Sequence, residues 1–196
     1  MEILTKKLTI DSISDYFCFF ENRAFTDDSP YKCYCQVYQM SKEEYSAVYD
    51  NNDPASFGRI SKEIATQQIQ EGKLQGYLAY VDGVAIGWCN CNNRENYAKS
   101  PVYDMPFYAE AKKNEKAVVC FLIAPEFRNK GVATTLLQRA IIDAKDEGKK
   151  AFYGFPIVRQ SRYEWDYPGP IKLFESNGFT RIKEYNECII LRMLLQ

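Results

Sequence analysis

Histidine is absent from all 196 residues of this chain. That absence removes Ser–His and Cys–His nucleophile pairs, and every His-ligated metal site, from consideration. Long apolar runs are missing too: no segment approaches the roughly 18 apolar residues a membrane span needs. There is no excess of either charge, because 25 Lys and Arg stand against 26 Asp and Glu. A net charge of −1 gives no electrostatic footprint for nucleic acid or a membrane surface, so neither is expected as a partner. Residues Met1 to Asp11 lack the apolar stretch of a signal peptide, and a cytoplasmic location is expected. Seven cysteines are an odd count for a disulfide framework. The pairs Cys33/Cys35 and Cys89/Cys91 are each spaced by one residue, whereas structural zinc uses spacings of two to four, so buried free thiols and no metal are expected.

With 46% hydrophobic and 26% charged residues, the composition is that of a globular protein, and residues 1–196 are read as one domain. The most informative stretch is a strand, a basic turn and a helix between Val118 and Gly148. The strand Val118-Val119-Cys120-Phe121-Leu122-Ile123 ends at Ala124-Pro125, and Arg128-Asn129-Lys130-Gly131-Val132-Ala133-Thr134 opens a helix. Small residues at Gly131 and Ala133 let helix N-terminal N–H groups approach a phosphate, and Arg128 and Lys130 add positive charge. The turn lacks the first glycine of a Walker loop and the glycines of a dinucleotide fingerprint.

The remaining pattern alternates strands and helices. Glu2 to Thr9 reads as a strand, followed by a helix to about Phe25 and a polar turn over Thr26 to Pro30. Cys33 to Met40 reads as a strand, and Ser41 with Glu44 forms a capping box for a helix to about Tyr49. Asp53-Pro54 opens a helix ending near Gly72. Leu74 to Trp88 is a hairpin turning at Asp82-Gly83, with Val84, Ile86 and Trp88 sharing a side. Asn90 to Lys113 reads as a long irregular loop. Ala133, Leu136, Leu137, Ala140, Ile141 and Ala144 make a helical stripe. A strand near Lys150, a short helix from Ile171 and two final strands complete the chain.

The spelling Arg128-x-x-Gly131-x-Ala133 resembles the acyl-CoA loop of the GNAT N-acetyltransferases, Gln/Arg-x-x-Gly-x-Gly/Ala. Leu173-Phe174-Glu175-Ser176-Asn177-Gly178-Phe179 is similar to that family's Leu-Tyr-Glu-x-x-Gly-Phe, and the element order matches throughout. The run Gly76 to Gly83, with Gly87-Trp88-Cys89, Cys33-Tyr34-Cys35 and Tyr167-Pro168-Gly169-Pro170, looks like a bacterial branch of it. The resemblance implies an α/β acyl-CoA N-acyltransferase fold with a mostly antiparallel mixed sheet flanked by helices. It implies acetyl-CoA as cosubstrate, its pantetheine arm beside Phe121, Leu122 and Ile123 and its pyrophosphate on the N–H groups from Arg128 to Ala133, with Thr134 also in the cofactor site. It also implies direct transfer of the acetyl group to a primary amine of a small molecule, and leaves a homodimer open.

That transfer poses two proton problems. An alkyl ammonium, with a pKa of about 10.4, must lose a proton before attack, and a departing thiolate must gain one. The family's usual donor is the tyrosine of Leu-Tyr-Glu, and here that slot is Phe174. Tyr167, seven residues earlier, stands where the family often has Asn and is the candidate acid; Tyr153, Tyr163 and Cys120 are alternatives. For the base, Glu115, Glu110, Asp104 or a water chain to a distant carboxylate remain open. Phe174 also supports a competing reading, a non-catalytic acyl-CoA-binding module; a structural domain that has lost the ligand is opposed by Arg128, Gly131 and Ala133.

Overall fold

The computed structural model describes residues 1–25, 32–50, 53–97, 111–158, 167–185 and 188–195. Its centre is a seven-stranded sheet in the order β1-β2-β3-β4-β5-β7-β6. The strands are β1 (Leu4–Lys7), β2 (Gly76–Val81), β3 (Val84–Asn93), β4 (Glu115–Ile123), β5 (Ala151–Gly154), β6 (Thr180–Tyr185) and β7 (Cys188–Leu194). Only β4 and β5 run parallel; every other neighbouring pair is antiparallel. Among the described residues the helices are α1 (Ile13–Asn22), α2 (Lys42–Tyr49), α3 (Pro54–Gln70), α4 (Val132–Asp146) and α5 (Ile171–Glu175).

The sheet carries an apolar core on each face. On one face, Tyr16, Phe19 and Phe20 of α1 and Ala65 of α3 join Leu78, Trp88, Val119 and Leu122. On the other, Leu136, Leu137, Ala140 and Ala144 of α4 and Phe174 of α5 join Tyr77, Val118, Phe121 and Leu191. The stripe read from the sequence is therefore the buried side of α4, apart from the half-buried Ala133 and Ile141. The Ser41–Glu44 capping box forms as expected: the Glu44 N–H donates to Ser41 Oγ at 3.1 Å, and the Ser41 N–H to Glu44 Oε2 at 2.7 Å.

Three expectations need correction. The strand expected over Cys33–Met40 is a 3-10 turn at Gln36–Gln39. Cys35 enters it in left-handed backbone, φ 55°, and the Tyr34 N–H donates to Gln36 Oε1 at 3.1 Å, so the chain curls on itself instead of alternating. Of the loop expected over Asn90–Lys113, residues 98–110 lie outside the described residues, and its first residues are the last part of β3, which continues to Asn93. Asn90 and Asn92 look like loop residues but are fully buried, because each amide finds partners inside: Asn92 Nδ2 donates to the Lys73 carbonyl at 2.7 Å. Finally, Ile86 and Trp88 face opposite sides of the sheet, because the β2–β3 register shifts at Ala79/Tyr80. The polar turn expected over Thr26–Pro30 lies outside the described residues.

Candidate active site

The parallel pairing of β4 with β5 covers only Glu115–Val118 against Ala151–Gly154. Beyond Gly154 the chain stays with β7, through an Ile157–Cys188 bridge and a bond from the Ile189 N–H to the Pro156 carbonyl. β4 instead continues to Ile123 along β3. The strands thus diverge, and the second half of β4 presents an edge that β5 does not cover. Antiparallel alternation turns the N–H and C=O groups of Phe121 and Ile123 toward that edge. The Phe121 N–H donates to the Tyr167 carbonyl at 2.6 Å, and the Ile123 carbonyl accepts from Arg128 Nε at 3.2 Å. A second register shift, at Asn90/Cys91, leaves Val119 without a cross-strand partner and puts Val119 and Cys120 on the same face. Of the strand residues expected beside the pantetheine arm, Phe121 faces the α4 core, Leu122 faces the α1 core, and Ile123 is half-buried against α4's side.

Past the end of β4, a 3-10 turn at Pro125–Phe127 consumes the Phe127 and Arg128 N–H groups. Asn129 (φ 59°) and Gly131 (φ 84°) then take left-handed backbone. Gly131 is the N-cap of α4, and without a side chain it caps nothing; its carbonyl receives the Thr135 N–H at 3.0 Å. The N–H groups of Asn129, Lys130, Gly131, Val132, Ala133 and Thr134 have no acceptor among the described residues. Arg128, Asn129, Lys130 and Gly131 are exposed, Ala133 and Thr134 half-buried, and Val132 is buried and anchors the turn. A Cβ placed on Gly131 would meet nothing within 4 Å. An open cradle of unpartnered donors at the positive end of a fifteen-residue helix suits a pyrophosphate. The sequence-predicted loop residues are thus brought together, at the end of the β4 edge that β5 leaves.

The donor end differs from the expectation based on the family's tyrosine. Phe174 is fully buried, with its ring 6.2 Å from Phe121 and 5.3 Å from Phe179. That ring lies so close to Gly154 that a Cβ there would stand 2.2 Å from Phe174 Cε1. Tyr167 is held at the same end through its backbone bond to Phe121, with its side chain half-buried against the α1-side core. Tyr153 donates to Glu115 Oε1 at 3.1 Å; burial, and then the Glu115 charge, raise its hydroxyl above the ordinary tyrosine value. Glu115 is already engaged, accepting from Arg94 Nη1 at 2.7 Å and the Lys112 N–H at 3.1 Å. Tyr163, Glu110 and Asp104 lie outside the described residues.

Three clusters were not read from the sequence. Arg94 is buried, with its guanidinium 4.1 Å from the Tyr153 ring centre, in the segment taken for a loop. Asn90 gathers Tyr97 Oη (2.7 Å), Gln39 Nε2 (3.1 Å) and the Cys35 carbonyl (3.0 Å). The spacing of Asn90 and Asn92, which puts two amides on one strand face, was the available signal. On the opposite face, Asp143 of α4 and the helix's C-cap Glu147 bind Lys7 at 3.3 and 3.0 Å, and Glu147 also binds Lys116 at 2.7 Å. Burial works against both carboxylates, but hydrogen bonds to Tyr77 and Lys7 for Asp143, and to Lys116 and Lys7 for Glu147, hold them below their ordinary values.

The sequence matches the model of the acetyltransferase (GNAT) family over residues 34–160. The chain belongs to the GNAT family. Solved structures of similar fold include the PaiA N-acetyltransferase of Thermoplasma acidophilum in complex with coenzyme A, at 18% identity, 99% of each chain and a TM-score of 0.56. The GNAT domain of S. lividans PAT is 19% identical over 97% of this chain and 89% of that one, with a TM-score of 0.56. YncA of Salmonella typhimurium, with its cofactor acetyl-CoA, is 13% identical over 99% and 94%, with a TM-score of 0.53. No protein of curated function matches the sequence. At these identities the GNAT structures share a fold with this chain, and the mixed sheet flanked by helices is the GNAT fold. No helix among the described residues is long and apolar enough to cross a membrane.

Proposed function

We propose that this GNAT protein moves an acetyl group from acetyl-CoA directly to a primary amine of a small molecule. The observation that carries the reading is the cradle of N–H groups from Asn129 to Thr134, without acceptors among the described residues, at the end of the β4 edge that β5 leaves. Bound acetyl-CoA would supply the activated thioester. The cradle and Lys130 would hold its pyrophosphate, and the Ile123 edge of β4 would orient its arm, as a ligand strand is oriented by a sheet edge. Arg128 now spans that edge through its bond to Ile123, and would turn toward the phosphates. Tyr167, fixed to Phe121 where β4 and β5 diverge, would give its phenolic proton to the leaving thiolate. Glu115, committed to Arg94 and Tyr153, is a poor candidate for the base, which favours water leading to a more distant carboxylate.

The buried, hydroxyl-free Phe174 favours a second reading, a module that binds acyl-CoA without turning it over. One assay separates the two. Acetyl-CoA is incubated with the protein and a panel of polyamines, amino acids, aminoglycosides and peptide amines, and thiol release is followed. Amine-dependent release supports transfer; saturable acetyl-CoA binding with no release across the panel supports the binder.

A further inference from the structure

The chain over residues 167–170 crosses the β4 edge. Before the crossing, the Tyr167 side chain packs against the α1-side core. After it, Ile171 and Leu173 of α5 pack against the α4-side core. Between the two, the Tyr167 carbonyl takes the Phe121 N–H at 2.6 Å. The segment thus passes from one face of the sheet to the other in the gap that β5 leaves, two residues inward of Ile123. The crossing is held closely. Pro168 is buried, and Gly169 takes left-handed backbone, φ 84°, which glycine adopts without steric cost. A Cβ on Gly169 would stand 3.1 Å from Phe121 Cδ2 and 3.4 Å from Leu173 Cδ2, so its backbone lies against the Phe121 ring. Pro168 and Pro170 each fix a further φ angle. The Pro170 carbonyl accepts the Leu173 N–H at 3.0 Å, which ties the segment to the first turn of α5. Anchored at both ends and stiffened between them, the segment has little freedom to yield.

We propose that the segment 167–170 determines the size of the acyl donor: it is a fixed stop across the β4 edge that admits an acetyl group and rejects longer acyl chains. A cofactor whose phosphates rest on the N-terminus of α4 lays its arm along the edge from Ile123 inward, so its acyl end is the part that meets the crossing. The Tyr167 main chain already fills the edge at Phe121. A longer chain finds no way round it on the α4 side, where Phe121, Gly169 and Leu173 are in contact. On the α1 side it meets the Tyr167 ring. The stop deepens the acyl-CoA reading and rests on it.

Calorimetric titration of the full chain with CoA, acetyl-CoA and hexanoyl-CoA tests it. CoA and acetyl-CoA should bind within a few-fold of each other. Hexanoyl-CoA should bind at least about tenfold more weakly than acetyl-CoA, the scale on which a packed pocket rejects extra methylenes. Two variants open the stop from opposite faces. Tyr167→Ala removes the ring and keeps the main-chain bond to Phe121, and Leu173→Ala removes the side chain packed beside Gly169. Each should lower the ratio of the hexanoyl-CoA to the acetyl-CoA dissociation constant several-fold. A general loss of structure would weaken both ligands alike and leave that ratio unmoved. Equal wild-type affinities for acetyl-CoA and hexanoyl-CoA would overturn the stop while leaving the cofactor site standing, as would a ratio that neither variant moves. A wild-type protein that does not bind CoA at all would overturn the acyl-CoA reading, and the stop with it.

Discussion

The main-chain N–H of Phe121 donates to the main-chain carbonyl of Tyr167 at 2.6 Å. The bond joins β4 to the segment before α5 where β4 and β5 have parted. It fixes the backbone of Tyr167 against the strand whatever the side chain is, so the phenol can be altered without moving its anchor.

For that reason Tyr167→Phe is a clean probe of proton donation. With the amine that the panel identifies, kcat should fall by about 10²–10⁴, the usual worth of a general acid, at nearly unchanged acetyl-CoA affinity. Phe174→Tyr in that background should recover part of the rate. A Tyr167→Phe enzyme with full kcat would dismiss the role.

Gly154 should be intolerant of any side chain. A Cβ would meet the Phe174 ring at 2.2 Å, and that ring is fully buried against Phe121 and Phe179. Gly154→Ala is expected to cost about 1–3 kcal/mol, as overpacking does, and Phe174→Leu in the same chain should recover part of it. Urea midpoints measure both; an unchanged midpoint for Gly154→Ala would mean that the ring has room to move.

Acid should loosen the seat of α4. Asp143 and Glu147 sit below their unfolded values of about 3.9 and 4.3. Groups lowered by folding stabilise fully above the unfolded value, and the contribution is lost as pH falls through the folded one. Stability should therefore hold above about pH 5 and decline below about 4. Asp143→Asn keeps a partner for Tyr77 but loses the charge facing Lys7 and Arg139. Its destabilisation should be largest near neutrality and shrink toward pH 3. A gap between wild type and variant that is constant with pH would assign the cluster a purely steric role.

What the sequence made legible was local. The stripe of α4, the Ser41–Glu44 box, the Asp82-Gly83 turn and the Arg128–Ala133 loop depend on residues a few positions apart, and all four are found in the structure. What it hid was long-range. Cys33–Met40 is aromatic and apolar enough for a strand, but its left-handed Cys35 is held by Asn90, fifty-five residues away. β3 outruns its apparent end because its buried asparagines find distant partners in Cys35 and Lys73. Arg94 and Glu115 pair across a segment that reads as loop, so neither half announces the other.

The central claim is that acetyl-CoA sits on the N-terminus of α4, and one substitution tests it most directly. Gly131→Asp puts a carboxylate at the N-cap of α4, where Asp tolerates left-handed backbone and a Cβ meets nothing within 4 Å. There it can accept from the same first-turn N–H groups that a phosphate needs, a contact that supports the helix. The free variant should therefore melt near the wild-type temperature. Wild type should gain several degrees from acetyl-CoA at about 100 times its Kd, worth about 2.7 kcal/mol. Gly131→Asp should lose that gain. A folded Gly131→Asp protein stabilised by acetyl-CoA as fully as wild type would place the cofactor elsewhere.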